Sequence, residues 1–283
     1  MAVLSIQSHV AYGHVGNSAA VFALQSLGIE TWPVNTVRFS NHPGHDEFRG
    51  AREDPSVIRD VIQGIGERGV FRQCQGVLSG YLGHPSNGDV VLEAIAGVKS
   101  ANPDCLFLCD PVFGDRDKGI YVSESLIDFY RDHALPACDV ATPNAFELEV
   151  LSGRPVDRPQ TVAEAASSLL ELGPDIVIVT SVPDGPRGIG NLMVSEDGVR
   201  HVTTEALETP VKGAGDLLAA LWMGRFLLSG VATNALAKAT ASVFDLLEKA
   251  VETQADELPL VAERRSLTHP KTAVTVRHPL NGT

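Results

Sequence analysis

The sequence predicts an α/β fold: a doubly wound, mostly parallel central sheet with helices on both faces and antiparallel strands extending one edge. Three observations predict it. Short apolar runs alternate with helical patterns along the chain, as they do in successive βαβ units. The runs are apolar throughout rather than at every second residue, so the strands need cover on both faces, which parallel sheets have. Late in the chain Glu196-Asp197-Gly198 separates two strand-like segments, a hairpin signal that makes its flanks antiparallel. No linker, repeat or low-complexity segment divides residues 1–283, which read as one domain.

In order, AVLSIQS (2–8) is the first strand and 17–28 the first helix. ETWPVNTV (30–37) is the second strand. The next helix, 55–68, opens at Asp54 before Pro55, because Asp accepts from free N–H groups and a first-position Pro has no N–H to leave unpaired. QGVLSG (75–80) precedes a helix over 86–101 starting at Ser86, and CLFLCD (105–110) one over 123–134 starting at Ser123. DVATPN (139–144) precedes a helix over 161–172, with Thr161 and Glu164 as its capping box. DIVIVTS (175–181), GNLMVS (190–195) and VRHVTTE (199–205) are strands; helices over 233–252 and 256–265 and a short strand TAVTV (272–276) finish the fold.

One stretch stands apart, ETPVKGAGDLLAALWMGRFLLSG at 208–230. From Leu217 to Leu228 only Arg225 is charged, and a helix apolar nearly all round is a buried one. Asp216 therefore stands at a buried helix start. An acid there can simply cap free N–H groups. The preceding Gly213, Ala214 and Gly215 allow another reading, a tight turn whose bare N–H groups bind an anion beside the carboxylate. The tetrapeptide alone leaves both open.

Composition narrows the partners. At 44% hydrophobic and 20% charged, without a long apolar run or a basic leader, the chain reads as a cytoplasmic globular protein with no membrane partner. A formal charge of -13 argues against nucleic acid, which needs a basic face. Cys74, Cys105, Cys109 and Cys138 have neither metal nor disulfide spacing and read as core.

Open sheets of this kind bind ligands beyond the carboxyl ends of their strands. Those ends are Ser8, Gly80-Tyr81, Asp110-Pro111, Thr142-Pro143-Asn144 and Thr180-Ser181, each a polar exit from an apolar run, and the Gly213–Asp216 turn joins them. AYGHVGNSAA, after the first strand, lacks both GxGxxG and GxxxxGK[ST]; there is no GxSxG elbow and no His/Cys cluster at zinc spacing. What remains is a cleft with hard oxygen ligands, Asp110, Asn144 and Glu147, suited to magnesium, and an anion-binding turn carrying Asp216. Phosphoryl transfer fits that inventory.

The motifs SIQSHVAYGHVGNSAA, NTVRFSNHPG, VLSGYLG, CDPVFGD, TPNAFELEVLSG, TSV and GAGDLLAAL, in this order, resemble those of pyridoxal kinases in the ribokinase-like family and cover most of residues 4–221. The resemblance implies a ribokinase-like fold and ATP-dependent phosphorylation of the 5′-hydroxyl of pyridoxal, pyridoxine and pyridoxamine being further acceptors. It implies Asp216 as the base, with Gly213, Ala214 and Gly215 as its anion hole, and Asp110 and Glu147 as holders of Mg2+, largely through water. Asp115 matches a further acidic position near the phosphates, Thr142, Asn144, Thr180 and Ser181 match nucleotide-side positions, and Tyr121 lies on a loop over the phosphates; Lys212, just before the turn and outside the resemblance, is an ATP-side candidate or a surface charge. Ser8, His42 and Tyr81 match residues around the pyridine ring. A K+ ion beside the nucleotide and a homodimer follow from the same resemblance. Ala214 stands where many relatives have Thr or Val, Lys212 is unexpected, and Pro43-Gly44 stiffens a loop often more polar in relatives. The alternatives are a ribokinase-like kinase for a hydroxymethylpyrimidine or a sugar, and a pyridoxal-binding protein without turnover.

Overall fold

In a computed structural model, which describes residues 1–45 and 47–278, strands β1 (Ala2–Val10) and β2 (Glu30–Phe39) lie parallel, joined through helix α1 (Asn17–Ser26). A three-residue strand β3 (Gly50–Arg52) folds back along the end of β2. Helix α2 (Pro55–Glu67) starts as its sequence dictates, with Asp54 accepting from the Ser56 N–H at 2.8 Å. Strand β4 (Cys74–Ser79) then pairs with the other side of β1, so the chain reverses direction across the sheet at this point.

Helix α3 (Ser86–Ala101), strand β5 (Leu106–Cys109), the small hairpin β6 (Gly114–Asp115) and β7 (Gly119–Ile120), and helix α4 (Glu124–Phe129) follow. Ser86 is the first helical residue rather than the cap, its N–H donating to His84 Nδ1 at 3.2 Å. Ser123 holds the cap position of α4 without a side-chain bond. The helix expected over 123–134 is not uniform: α4 widens into a π-helical segment at Tyr130–Ala134 before the short α5 (Leu135–Ala137). The wide turn packs the whole Tyr130 ring into the core, where its hydroxyl donates to Gly80 O.

Strand β8 (Val140–Ala141) leads into α6 (Ala145–Ser152), a helix that reading the sequence missed, and then α7 (Pro159–Leu170). The capping box expected from Thr161 and Glu164 is corrected: α7 begins two residues earlier at Pro159, and Thr161 Oγ1 accepts from the Arg158 N–H at 3.2 Å. Proline fits that first position because its missing N–H would be unpaired there.

Strands β9 (Ile176–Asp184), β10 (Gly188–Ser195) and β11 (Gly198–Glu205) run antiparallel, with Ser195 opposite Gly198 at the expected turn. Helices α8 (Ala214–Ser229) and α9 (Ala232–Thr253) follow. The helix expected over 256–265 is corrected to a turn and a short α10 (Arg264–Thr268), since Leu258 and Leu260, two residues apart around Pro259, both point into the core. Strand β12 (Thr275–Arg277) closes the edge.

The sheet order is β12-β11-β10-β9-β8-β5-β4-β1-β2-β3, parallel from β9 to β2. Both faces are apolar. Leu4, Ile6, Val77, Phe107, Val177 and Val179 pack under α2, α3, α4, α6 and α7, while Val3, Leu78, Leu108 and Ile178 pack under α1, α8, α9 and α10. That alternation explains the continuous apolar runs: each successive residue serves the opposite layer. All four cysteines are free and buried. None of the described helices is long and apolar enough to cross a membrane.

Candidate active site

The carboxyl ends of β1, β4, β5, β8 and β9 open into one cavity of about 640 Å³. Its walls include Ser8, His42, Tyr81, Asp110, Asp115, Tyr121, Thr142, Asn144, Glu147, Thr180, Ser181, Lys212, Gly213, Ala214, Gly215 and Asp216, so every residue singled out from the sequence arrives at the same place. The reversal of strand order between β1 and β4 creates the crevice, because helices on either side diverge there.

The turn before α8 removes one of the two readings of Asp216, the cap. Gly213 takes the cap position with φ 92° and no side chain caps the helix, so Asp216, its third residue, is not held there as a cap. A Cβ on Gly213 would lie 2.1 Å from His14 O, whereas one on Gly215 would meet nothing within 4 Å. The first N–H groups of α8 have no acceptor within the helix, and the residues that carry them, Ala214, Gly215 and Asp216, line the cavity. Asp216 is half-buried beside them. Burial raises its carboxyl to about 6, against the neighbouring Gly16 N–H, which favours the ionised form.

Across the cavity, Asp110 is buried and accepts from Thr142 Oγ1 at 3.0 Å through one oxygen only. Its carboxyl is pushed well above the usual range by burial, then by Glu147 and Asp216. Glu147 is buried too, and burial lifts it to about 8. The N–H groups of Asn144 (2.9 Å) and of Phe113 (3.0 Å) and Gly114 (3.4 Å) pull the other way, occupying both oxygens. Asn144 caps α6, its Oδ1 accepting from the Glu147 N–H at 2.9 Å while Nδ2 donates to Gly114 O at 2.8 Å. Asn144 and Glu147 thus form a reciprocal capping box that fixes β8, α6 and the β6–β7 hairpin together. Asp115 turns that hairpin, accepting from the Lys118 N–H at 2.7 Å.

Thr180 is anchored by its N–H to Pro143 O, and Ser181 beside it holds a left-handed φ of 58°. On the acceptor end, Tyr81 O accepts from Thr36 Oγ1 at 2.6 Å, which fixes the backbone that carries its ring. His42 does bond its own loop: Nδ1 accepts from the Gly44 N–H at 2.9 Å. That leaves the proton of the neutral ring on Nε2. Burial lowers His42, and Lys118 and Lys212 lower it further, so Lys212 stands on the His42 side of the cavity.

Reading the sequence missed Lys118 and the apolar lobe built by Ile189, Thr240, Val243, Phe244 and Leu247. The signal for the lobe was present: residues 240, 243, 244 and 247 fall at helical spacing on one side of α9.

Comparison with known proteins gives this cavity a context. Residues 70–261 match the family model described as phosphomethylpyrimidine kinase. A protein named pyridoxal kinase PdxY from Rubrobacter xylanophilus is 48% identical over 279 residues, 97% of this chain and 96% of its own. Another of that name from Corynebacterium diphtheriae is 42% identical over 274 residues, 96% and 97% of the two chains. The solved pyridoxal kinase from Leishmania donovani, in complex with ADP and pyridoxamine, matches with a TM-score of 0.90 at 31% identity, covering 97% of this chain and 98% of that one. The same enzyme has been solved with ADP and pyridoxine. On fold, cavity and kinship together, the chain is a kinase and belongs to the pyridoxal kinase family of ribokinase-like enzymes.

Proposed function

We propose that the chain moves the γ-phosphoryl group of ATP onto the 5′-hydroxyl of pyridoxal, giving pyridoxal 5′-phosphate and ADP, with pyridoxine and pyridoxamine as further acceptors. The single observation that carries the mechanism is Asp216: a half-buried carboxylate with no capping role, poised near 6, beside free N–H groups and open space. In this reading Asp216 takes the hydroxyl proton as the oxygen bonds to the γ-phosphorus and the bond from phosphorus to ADP breaks. The N–H groups after Gly213 stabilise the charge on the phosphoryl oxygens, a task backbone donors perform without needing a hydroxyl at Ala214. Ser8, His42 and Tyr81 hold the ring; Asp115, Tyr121, Thr142, Asn144, Thr180 and Ser181 line the phosphate and nucleotide path, and Lys212 meets the transferred phosphate from the His42 side.

The donor set fits magnesium. Asp110 and Glu147 are buried carboxyls held toward their protonated forms, with no cation paired to either among the described residues, and Asp110 has one oxygen unengaged. Glu147 spends both oxygens on backbone N–H groups, so it would act through water. Bound there, the metal supplies charge neutralisation on the phosphates. K+ beside the nucleotide, a homodimer, a cytoplasmic location and a single kinase domain over 1–283 complete the reading on resemblance alone.

A hydroxymethylpyrimidine acceptor is the second reading, favoured by the description of the family model. That match spans 70–261 and includes neither Ser8 nor His42, whereas the match to the relative named pyridoxal kinase from Rubrobacter xylanophilus takes in 97% of the chain. The test is incubation with ATP, magnesium and a panel of hydroxylated acceptors, with products identified by mass. Strong preference for another acceptor would sink the pyridoxal assignment, and no turnover at all would favour a binding protein.

A further inference from the structure

Two loops border the acceptor end of the cavity, joined where they leave the sheet by the Ala11 N–H to Phe39 O at 2.9 Å and the Tyr12 N–H to Ser40 O at 2.8 Å. One follows β1, residues 11–16; the other follows β2 and carries His42. Both converge on a turn from the far end of the chain, Asp256-Glu257, which lines no part of the cavity. Glu257 Oε1 pairs with His45 Nε2 at 2.9 Å, and Oε2 accepts from the His14 N–H at 3.2 Å. Its side chain is only 12% exposed. The carboxylate lies in the space that Gly13, at φ 95°, leaves by having no Cβ: a Cβ there would sit 2.4 Å from Glu257 Cδ. Beside it the Tyr12 hydroxyl donates to Asp256 Oδ2 at 3.1 Å, and the Tyr12 and His45 rings meet edge-on at 6.4 Å.

The turn that carries these acids is itself immobilised. Leu258 and Leu260 are buried in the core layer that includes α8 and α9, and Leu260 N–H donates to Leu258 O. Glu257 is therefore a fixed point, and what it fixes reaches the chemistry on both sides. His14 O packs against Gly213, and the Gly16 N–H faces Asp216. His42 is three residues from His45, and its Nδ1 is held within the same turn by Gly44.

We infer that Glu257 is a positioning residue for the acceptor half of the reaction: it ties the loop after β1 and the His42 loop to the core, and so sets Asp216, its anion hole and the ring-binding residues in one register. Charge-assisted hydrogen bonds from two segments to one carboxylate outweigh neutral ones, which suits a post better than a linker. The inference rests on the proposed phosphorylation, and the experiment separates the two.

Wild-type protein is first assayed against the acceptor panel, and the best acceptor, whichever it is, is used for the variants. Glu257→Ala is expected to lower kcat/KM for that acceptor by roughly 10–100-fold, the cost of losing charged hydrogen bonds, with KM for ATP within about twofold of wild type. Glu257→Gln keeps one accepting oxygen and is expected to fall between the two. His45→Ala cuts one arm only and should raise acceptor KM more than it lowers kcat. Acceptor affinity measured without nucleotide on the folded Glu257→Ala protein should fall with KM. A lowered melting temperature with kcat and both KM values unmoved makes Glu257 merely structural and overturns the inference, as does an equal rise in both KM values. Absence of pyridoxal phosphorylation by the wild type would instead overturn the substrate reading and leave Glu257 testable on the acceptor found.

Discussion

Two glycine-containing loops open helices in this protein, and they behave oppositely. The loop before α1 carries Gly13 and Gly16, both with positive φ, and the space each leaves is filled by protein: the Glu257 carboxylate at one, Ser8 O at 2.3 Å at the other. The turn before α8 carries Gly213 and Gly215; Gly213 packs on His14 O, but the side of Gly215 is empty. In one dimension both are a pair of glycines ahead of a helix. A glycine serves a ligand when its missing Cβ leaves room, and serves the fold when a neighbour has already taken that room.

Changes on either side of this division give graded effects. Asp216→Asn keeps the shape at the open turn and removes the proton acceptor, so turnover should fall by roughly 10²–10⁴-fold with the fold intact. A folded variant with near-normal kcat would falsify the role of the open turn. For the wild type, kcat/KM should be lost as pH falls through about 6, where Asp216 takes its proton. The stability linkage has the opposite sense. The folded carboxyl is raised, so stability is full at low pH and declines as pH rises through about 6. Asp216→Asn should therefore melt above wild type at neutral pH, and the gap should close near pH 4.

Asp110→Ala removes the carboxylate with a spare oxygen. Rate measured against magnesium should shift to higher metal concentration, with roughly 10–100-fold lost affinity or activity; an unchanged curve would remove Asp110 from the metal site. The glycine pair tests the division itself. Gly16→Ala should destabilise by roughly 2–4 kcal/mol through the clash with Ser8 and the left-handed backbone, read as a lower melting temperature. Gly215→Ala should keep or raise the melting temperature, since Ala is the better helix former by about 1 kcal/mol, yet lower kcat by roughly 10–100-fold through a methyl in the phosphate path. If both variants behaved alike, the distinction would fail. The smallest effect belongs to Tyr81→Ala, which should raise KM for the acceptor by roughly 3–10-fold while sparing KM for ATP.

Strand exits were legible because a polar residue after an apolar run marks where the chain leaves the core, and every exit named from the sequence lines the cavity. Helix α6 was not, because AFELEVLS is short and apolar on most sides; its start was signalled all the same by Asn144 and Glu147 at capping-box spacing. Those two were read only as ligands, and the fold uses them as a cap as well. Glu257 was invisible for another reason. Its partners lie more than 200 positions away, and nothing local distinguishes it from a surface acid.

Strand β2 carries Pro33 in its middle, and β3 covers it only from Val37 to Phe39. Among the described residues, 30–35 therefore form an open margin of the sheet, with β1 on one side and no strand on the other. Such a margin is a template on which a second, partly unfolded chain can add itself. A proline there has no N–H to offer, and it interrupts the apolar and β-branched run Thr31, Trp32 and Val34 at the open end of the strand. Pro33 thus guards the molecule against self-templated aggregation while contributing nothing to the cavity, a protection that matters most during refolding, before α1 and α2 are in place.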